Sequence, residues 1–188
     1  MSLMFSGTWD HAILAATVRA ASEAKSTGYL GRTAIQKIVY FLQVAGVPMR
    51  YSFDIYHYGP YCDRVSQDVE TLLADGVIQD SSAKPDKYSN YVPDNAIGDL
   101  LGQHQKVEDY ESTIASVVKS LLPLDPARLE LFATLDFLYR QFKAGGGTGP
   151  WKERVVEKFM TVKKDKFPRA TVTEAYDNLV AAKLFSES

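Results

Sequence analysis

One cysteine, Cys62, serves a chain of 188 residues. No disulfide can close within it, and no thiolate cluster is available for zinc. That shortage fits a reducing compartment, so a cytoplasmic location is expected. Histidine is nearly as scarce: His11, His57 and His104 fall on three different predicted elements, and no pair has the i, i+4 spacing of a helical metal site. Neither a metal nor a cofactor is expected. Long apolar runs are missing too; none approaches the roughly eighteen residues a membrane helix needs. The opening MSLMFSGTWDH has no basic stretch leading into an apolar core, so no secretory signal and no membrane partner are expected. An excess of one charge is also lacking: 21 Lys and Arg face 23 Asp and Glu, a net charge of −2. No global field draws such a chain to nucleic acid or to an anionic membrane, so any such binding must be local.

What is present is the composition of an ordinary folded protein, 46% hydrophobic and 23% charged. The length suits one domain or two small ones. Helical periodicity dominates. Residues 10–25 place Ile13, Leu14, Thr17, Val18 and Ala21 on one stripe, with Thr8 or Asp10 available as the cap. Residues 33–45 repeat the pattern through Ile35, Ile38, Val39 and Leu42, and GVP ends that helix. The period then changes to two, and residues 51–58 read as one short strand. Gly59 and Pro60 turn the chain into a third helix over 61–74, and Gly76 stops it. A hairpin follows, with strands at 77–80 and 87–92 around a turn at 83–86.

Two helices, a strand, a third helix and a hairpin form the order of a winged helix, expected over residues 8–94. A helical unit is expected over 105–185, after a short helix near 96–101. Its helices run over 107–122, 127–143, 151–162 and 171–183, with AGGGTGP as a flexible connector. DVETLLADGVI and EAYDNLVAAKLF end alike, which leaves open a second three-helix bundle resembling a helix-turn-helix. The fold class expected is mainly α (α+β), packed as one compact body.

Candidate chemistry divides by charge. The predicted third helix and the strand after it, residues 61–80, carry Asp63, Asp68, Glu70, Asp75 and Asp80 against Arg64 alone, a local charge of −4. Such a segment repels DNA and points to a protein contact surface, with Asp63, Asp68 and Glu70 as candidate contacts. Residues 151–170 carry seven basic side chains against three acidic ones, a local +4. Lys163, Lys164, Lys166 and Arg169 concentrate that charge and are the candidate DNA contacts of an alternative reading. A solvated face is the plain explanation for either run. Acidic and basic halves on one chain also leave self-association into a homodimer open. Cys62 paired with His57 would make a nucleophile and its base. Cysteine is more often buried than reactive, however, and Asp63 beside it disfavours the thiolate. No catalytic residue is assigned on these grounds.

The stretch YSFDIYHYGPYCDRV gathers four tyrosines within fifteen residues. Such rings fill a core corner or face a partner. Over residues 30–80 the chain resembles the bacterial YwgA-like proteins and, more loosely, the Panacea domain of SocA-like antitoxins. The residues that carry the likeness are Lys37, Tyr40 and Phe41 on the second helix, then Tyr56, Tyr58, Gly59, Pro60 and Tyr61. The resemblance implies an interaction role, antitoxin-like in the Panacea case, and supplies no catalytic residue. A non-enzymatic regulatory module that binds a protein is therefore expected, with a DNA-binding regulator as the alternative.

Overall fold

In a computed structural model of the chain, residues 3–24, 28–84, 87–146, 149–182 and 184–185 are described, Asp165 by its backbone only. The expected turn at 83–86 and the end of the last expected helix, Lys183, lie partly outside them. The protein is mainly helical, with, among the described residues, two small antiparallel sheets of two strands each. Its contacts divide it into two units, residues 1–54 with 61–126 and residues 55–60 with 127–188.

The first unit is built on α1 (Trp9–Glu23), which is buried from Asp10 to Val18. Thr8 caps it as expected. Its hydroxyl accepts the His11 amide, while His11 Nδ1 accepts the amides of Gly7 and Thr8. Histidine thus takes the place that glutamate or glutamine usually holds in a capping box. After α2 (Arg32–Val44) comes the main departure from the sequence reading. Residues 51–53 are not strand, and β1 (Asp54–Tyr56) turns through His57 and Tyr58 into β2 (Gly59–Tyr61). Two causes are visible. The Gln43 side chain donates to the Tyr51 carbonyl and accepts the Tyr51 amide, both at 3.1 Å, which satisfies that backbone without a strand partner. Gly59, at φ +88°, makes the reversal that a side chain would resist.

α3 (Asp63–Ala74) leads into β3 (Ile78–Asp80), which pairs with β4 (Tyr91–Pro93) in the register Ile78–Pro93, Gln79–Val92, Asp80–Tyr91. The return strand starts later than expected because the Lys87 and Tyr88 amides turn back to the Lys84 carbonyl. Leu30 lies along β4, its carbonyl accepting the Tyr91 amide at 3.0 Å. The order α1, α2, α3, β3, β4 is the one expected, with the β1–β2 hairpin placed between α2 and α3. A helix-turn-helix joins its two helices through three or four residues. Here residues 45–62 intervene, so α3 is not delivered as the second helix of that motif.

α4 (Ile97–Gln103), a 3-10 turn (Gln105–Tyr110) and α5 (Glu111–Leu121) complete the unit. The helix expected over 107–122 is thus split. Gly28 meets the second end of α5 so closely that a Cβ there would stand 1.9 Å from the Leu122 carbonyl oxygen.

In the second unit α6 (Pro126–Ala144), α7 (Trp151–Lys163) and α8 (Arg169–Ala181) surround Leu135, Tyr139, Val155, Phe159 and Tyr176. Phe185 closes this core by stacking on Tyr139 with centroids 4.1 Å apart.

Candidate functional site

The acids of α3 and its surroundings face inward more than their number suggests. Asp68 retains 9% of its exposure and accepts the Tyr51 hydroxyl at 2.8 Å. His11 Nε2 lies 3.3 Å from its other oxygen, and Arg64 Nε lies 3.7 Å away. Arg64 also reaches Asp10 at 3.2 Å, and Asp10 accepts the Arg50 amide. Burial works to raise the Asp68 carboxyl, but the His11 and Tyr51 hydrogen bonds outweigh it and hold the group below its ordinary range. The Tyr51 hydroxyl is pushed far above its ordinary value, first by burial and then by Asp68.

Asp75 accepts the amides of Met4, Phe5 and Ser6 and the Ser6 hydroxyl. Burial raises it, and those donors together outweigh burial and bring its pKa down to about 2. Asp80 accepts the Ser82 and Asn90 amides. Of the five carboxylates read as an acidic surface, three are therefore held by the chain's own donors. Asp68 is a scaffold residue and not an exposed contact, while Asp63 and Glu70 remain exposed.

The aromatic signature also splits. Lys37, Tyr40 and Phe41 are buried on α2, where the Tyr40 ring meets Phe41 and Phe53 edge-on at 5.2 and 5.4 Å. Gly59 and Pro60 are buried, and Tyr61 is half-buried. Gln36 fixes the start of α3, its side chain pairing with both the amide and the carbonyl of Cys62 at 3.0 Å. Cys62 itself is buried. A buried thiol at a helix cap does not serve as a nucleophile for an external substrate. Among the described residues, no group of three or more His, Cys, Asp or Glu could hold a metal ion.

Tyr56 and Tyr58 differ from the rest of the signature. They are 62% and 63% exposed at the hairpin tip, with His57 exposed between them. The tip is held from beneath. Lys163, buried at the end of α7, donates to the Tyr56 and His57 carbonyls at 3.1 and 2.8 Å. Its ammonium lies 3.0 Å from Glu130, which is buried on α6. Burial lowers the Lys163 pKa, and Glu130 opposes that shift. Lys166 reaches the second oxygen of Glu130 at 2.7 Å and lies 4.6 Å from the centre of the Tyr58 ring. The tip and the α7 end line an open cleft of about 730 Å³, formed by residues 55–58, Val162, Lys163, Lys164 and Lys166.

This placement changes the basic segment as well. Lys163 is buried, Lys166 is paired with Glu130, and exposed Arg169 is paired with Glu157. Lys152 pairs with Asp177. Counting Glu130 and Asp177 with residues 151–170 brings the local charge from +4 to +2. Of the four candidate DNA contacts, Lys164 alone keeps an exposed ammonium without an ion pair among the described side chains. Glu130 was missed in the sequence because one acid between Leu129 and Leu131 looks like an exposed interruption of an apolar run.

No family model matches the chain, and no curated protein matches it. The likeness to YwgA-like and Panacea sequences therefore rests on the motif residues alone.

Proposed function

We propose that this chain is a non-enzymatic regulatory module that binds a protein partner through the hairpin tip bearing Tyr56 and Tyr58. The observation that carries the reading is the pairing of two exposed tyrosines with a buried Lys163–Glu130 clamp on the carbonyls of Tyr56 and His57. Tyrosine gives large contact area for few rotatable bonds. A tip whose backbone is already fixed has less conformational freedom to lose on docking. The motif's resemblance to antitoxin domains fits such a role, and a toxin would then be the partner. Duplex DNA suits the chain less, because three of the four candidate basic contacts are engaged within the second unit.

Capture from an extract of the native host tests the reading. Wild-type chain should retain a stoichiometric partner that Tyr56→Ser/Tyr58→Ser loses, with the variant's circular dichroism and melting unchanged. Full retention by that variant would overturn it. So would duplex binding that weakens steeply with salt and disappears when Lys164 is neutralised.

A further inference from the structure

We propose that the cleft beside the tyrosine tip takes an acidic peptide segment of the partner, and that Lys164 reads its carboxylate. This rests on the protein-binding reading above and names the chemistry of the same site.

Three observations converge on Lys164. It lines the cleft with Tyr56 and Tyr58, and its side chain is exposed. The other cleft lysines are committed, Lys163 to two carbonyls and Glu130, and Lys166 to Glu130 and the Tyr58 ring. The backbone at Lys164 has φ 48° and ψ −132°, among the described residues the one positive φ outside glycine. A lysine there is strained where glycine would not be, and strain retained at a cleft rim points to a side chain needed in place.

Charge selects the occupant. The cleft carries three lysines, two of which reach the single carboxylate of Glu130, and the sum stays positive when Asp165 of the same turn is counted. A carboxylate meeting Lys164 would gain a charge-assisted bond beside two aromatic faces. A nucleic acid strand calls instead for a track of uncommitted cations along its phosphates, and among the described side chains this cleft offers one.

A random heptapeptide display library selected on the purified chain is the test, followed by fluorescence polarisation of the selected peptides. Wild type should enrich Asp or Glu next to an apolar or aromatic residue. Lys164→Gly should weaken those peptides about tenfold or more, as expected for a lost charge-assisted contact, while Lys164→Arg retains most of the affinity. The same glycine variant should melt at or above the wild-type temperature, because it relieves the backbone. Selected peptides that lack acids, or affinity within twofold in Lys164→Gly, would overturn the inference. If those peptides still depend on Tyr56 and Tyr58, the protein-binding reading survives that loss. Peptides indifferent to both tyrosines, or no selected peptides at all, would remove both. Tighter binding of a fifteen-residue oligothymidylate than of any acidic peptide would overturn the peptide assignment.

Discussion

The two units each contain a buried ionic cluster, and the clusters differ in what they leave outside. In the first unit Asp10, His11, Tyr51, Arg64 and Asp68 satisfy one another and tie α1, the approach to β1 and α3 together. In the second unit Glu130 and Lys163 form a comparable buried pair, but Lys163 directs its remaining protons to the carbonyls of Tyr56 and His57. The first cluster closes on itself. The second supports two exposed rings and stands next to Lys164, which has no ion pair among the described side chains. A run of charge in a sequence is therefore a poor guide to charge at a surface. Both the acidic stretch after the tyrosines and the basic stretch near the C-terminal end lose much of their apparent field to partners distant in sequence.

Breaking the second cluster should have the largest effect. Glu130→Gln leaves the Lys163 ammonium buried beside a neutral amide, so a loss of about 3–5 kcal/mol is expected in urea unfolding. Hydrogen exchange at residues 55–60 should rise with it. The double change Glu130→Leu/Lys163→Met should recover part of the stability, since an apolar pair can replace a buried ion pair. It should not restore protection at the tip, because no side chain would hold the Tyr56 and His57 carbonyls.

A smaller and pH-dependent effect is expected in the first unit. The Asp75 carboxyl has a pKa of about 2 in the fold against an ordinary value of 3.8. A depressed acid stabilises the fold above its unfolded pKa, and that contribution is lost as the pH falls toward the folded value. The protection of the Met4, Phe5 and Ser6 amides against exchange should therefore fall as the pH is lowered from 4 to 2. Asp75→Asn should flatten this dependence; an unchanged profile in that variant would assign the transition to another group. The smallest effect is expected at the exposed Arg169–Glu157 pair, where Glu157→Gln should leave the urea midpoint unaltered.

The helices were legible because their signal is local. Thr8, the apolar stripes of α1 and α2, and the stop at Gly76 sit within a few residues of what they control. The β1–β2 hairpin was not, because the alternation over residues 51–58 has the right period for a single strand. What interrupts it is the Gln43 side chain, which no pattern within that stretch reveals.

The candidate site was half legible. The tyrosine motif was visible, but not that Tyr40 and Phe41 are buried while Tyr56 and Tyr58 are exposed. The inward course of Asp68 did leave a trace. It falls with Val65, Val69 and Leu72 at helical spacing, on the buried stripe of α3. Lys163 is likewise in phase with Val156 and Phe159 on α7. Counting charges along these helices without their phase turned two internal residues into surface ones.

The most direct test compares two acids that lie two positions apart on α3. Urea unfolding of Asp68→Asn should show a loss of about 2 kcal/mol, since the amide must set its NH2 against one of the two groups, Tyr51 or His11, that already donate. Glu70→Gln, exposed on the same helix, should stay within about 0.5 kcal/mol of wild type. Equal, small changes for both would contradict the account, because Asp68 would then be as free to meet a partner as Glu70.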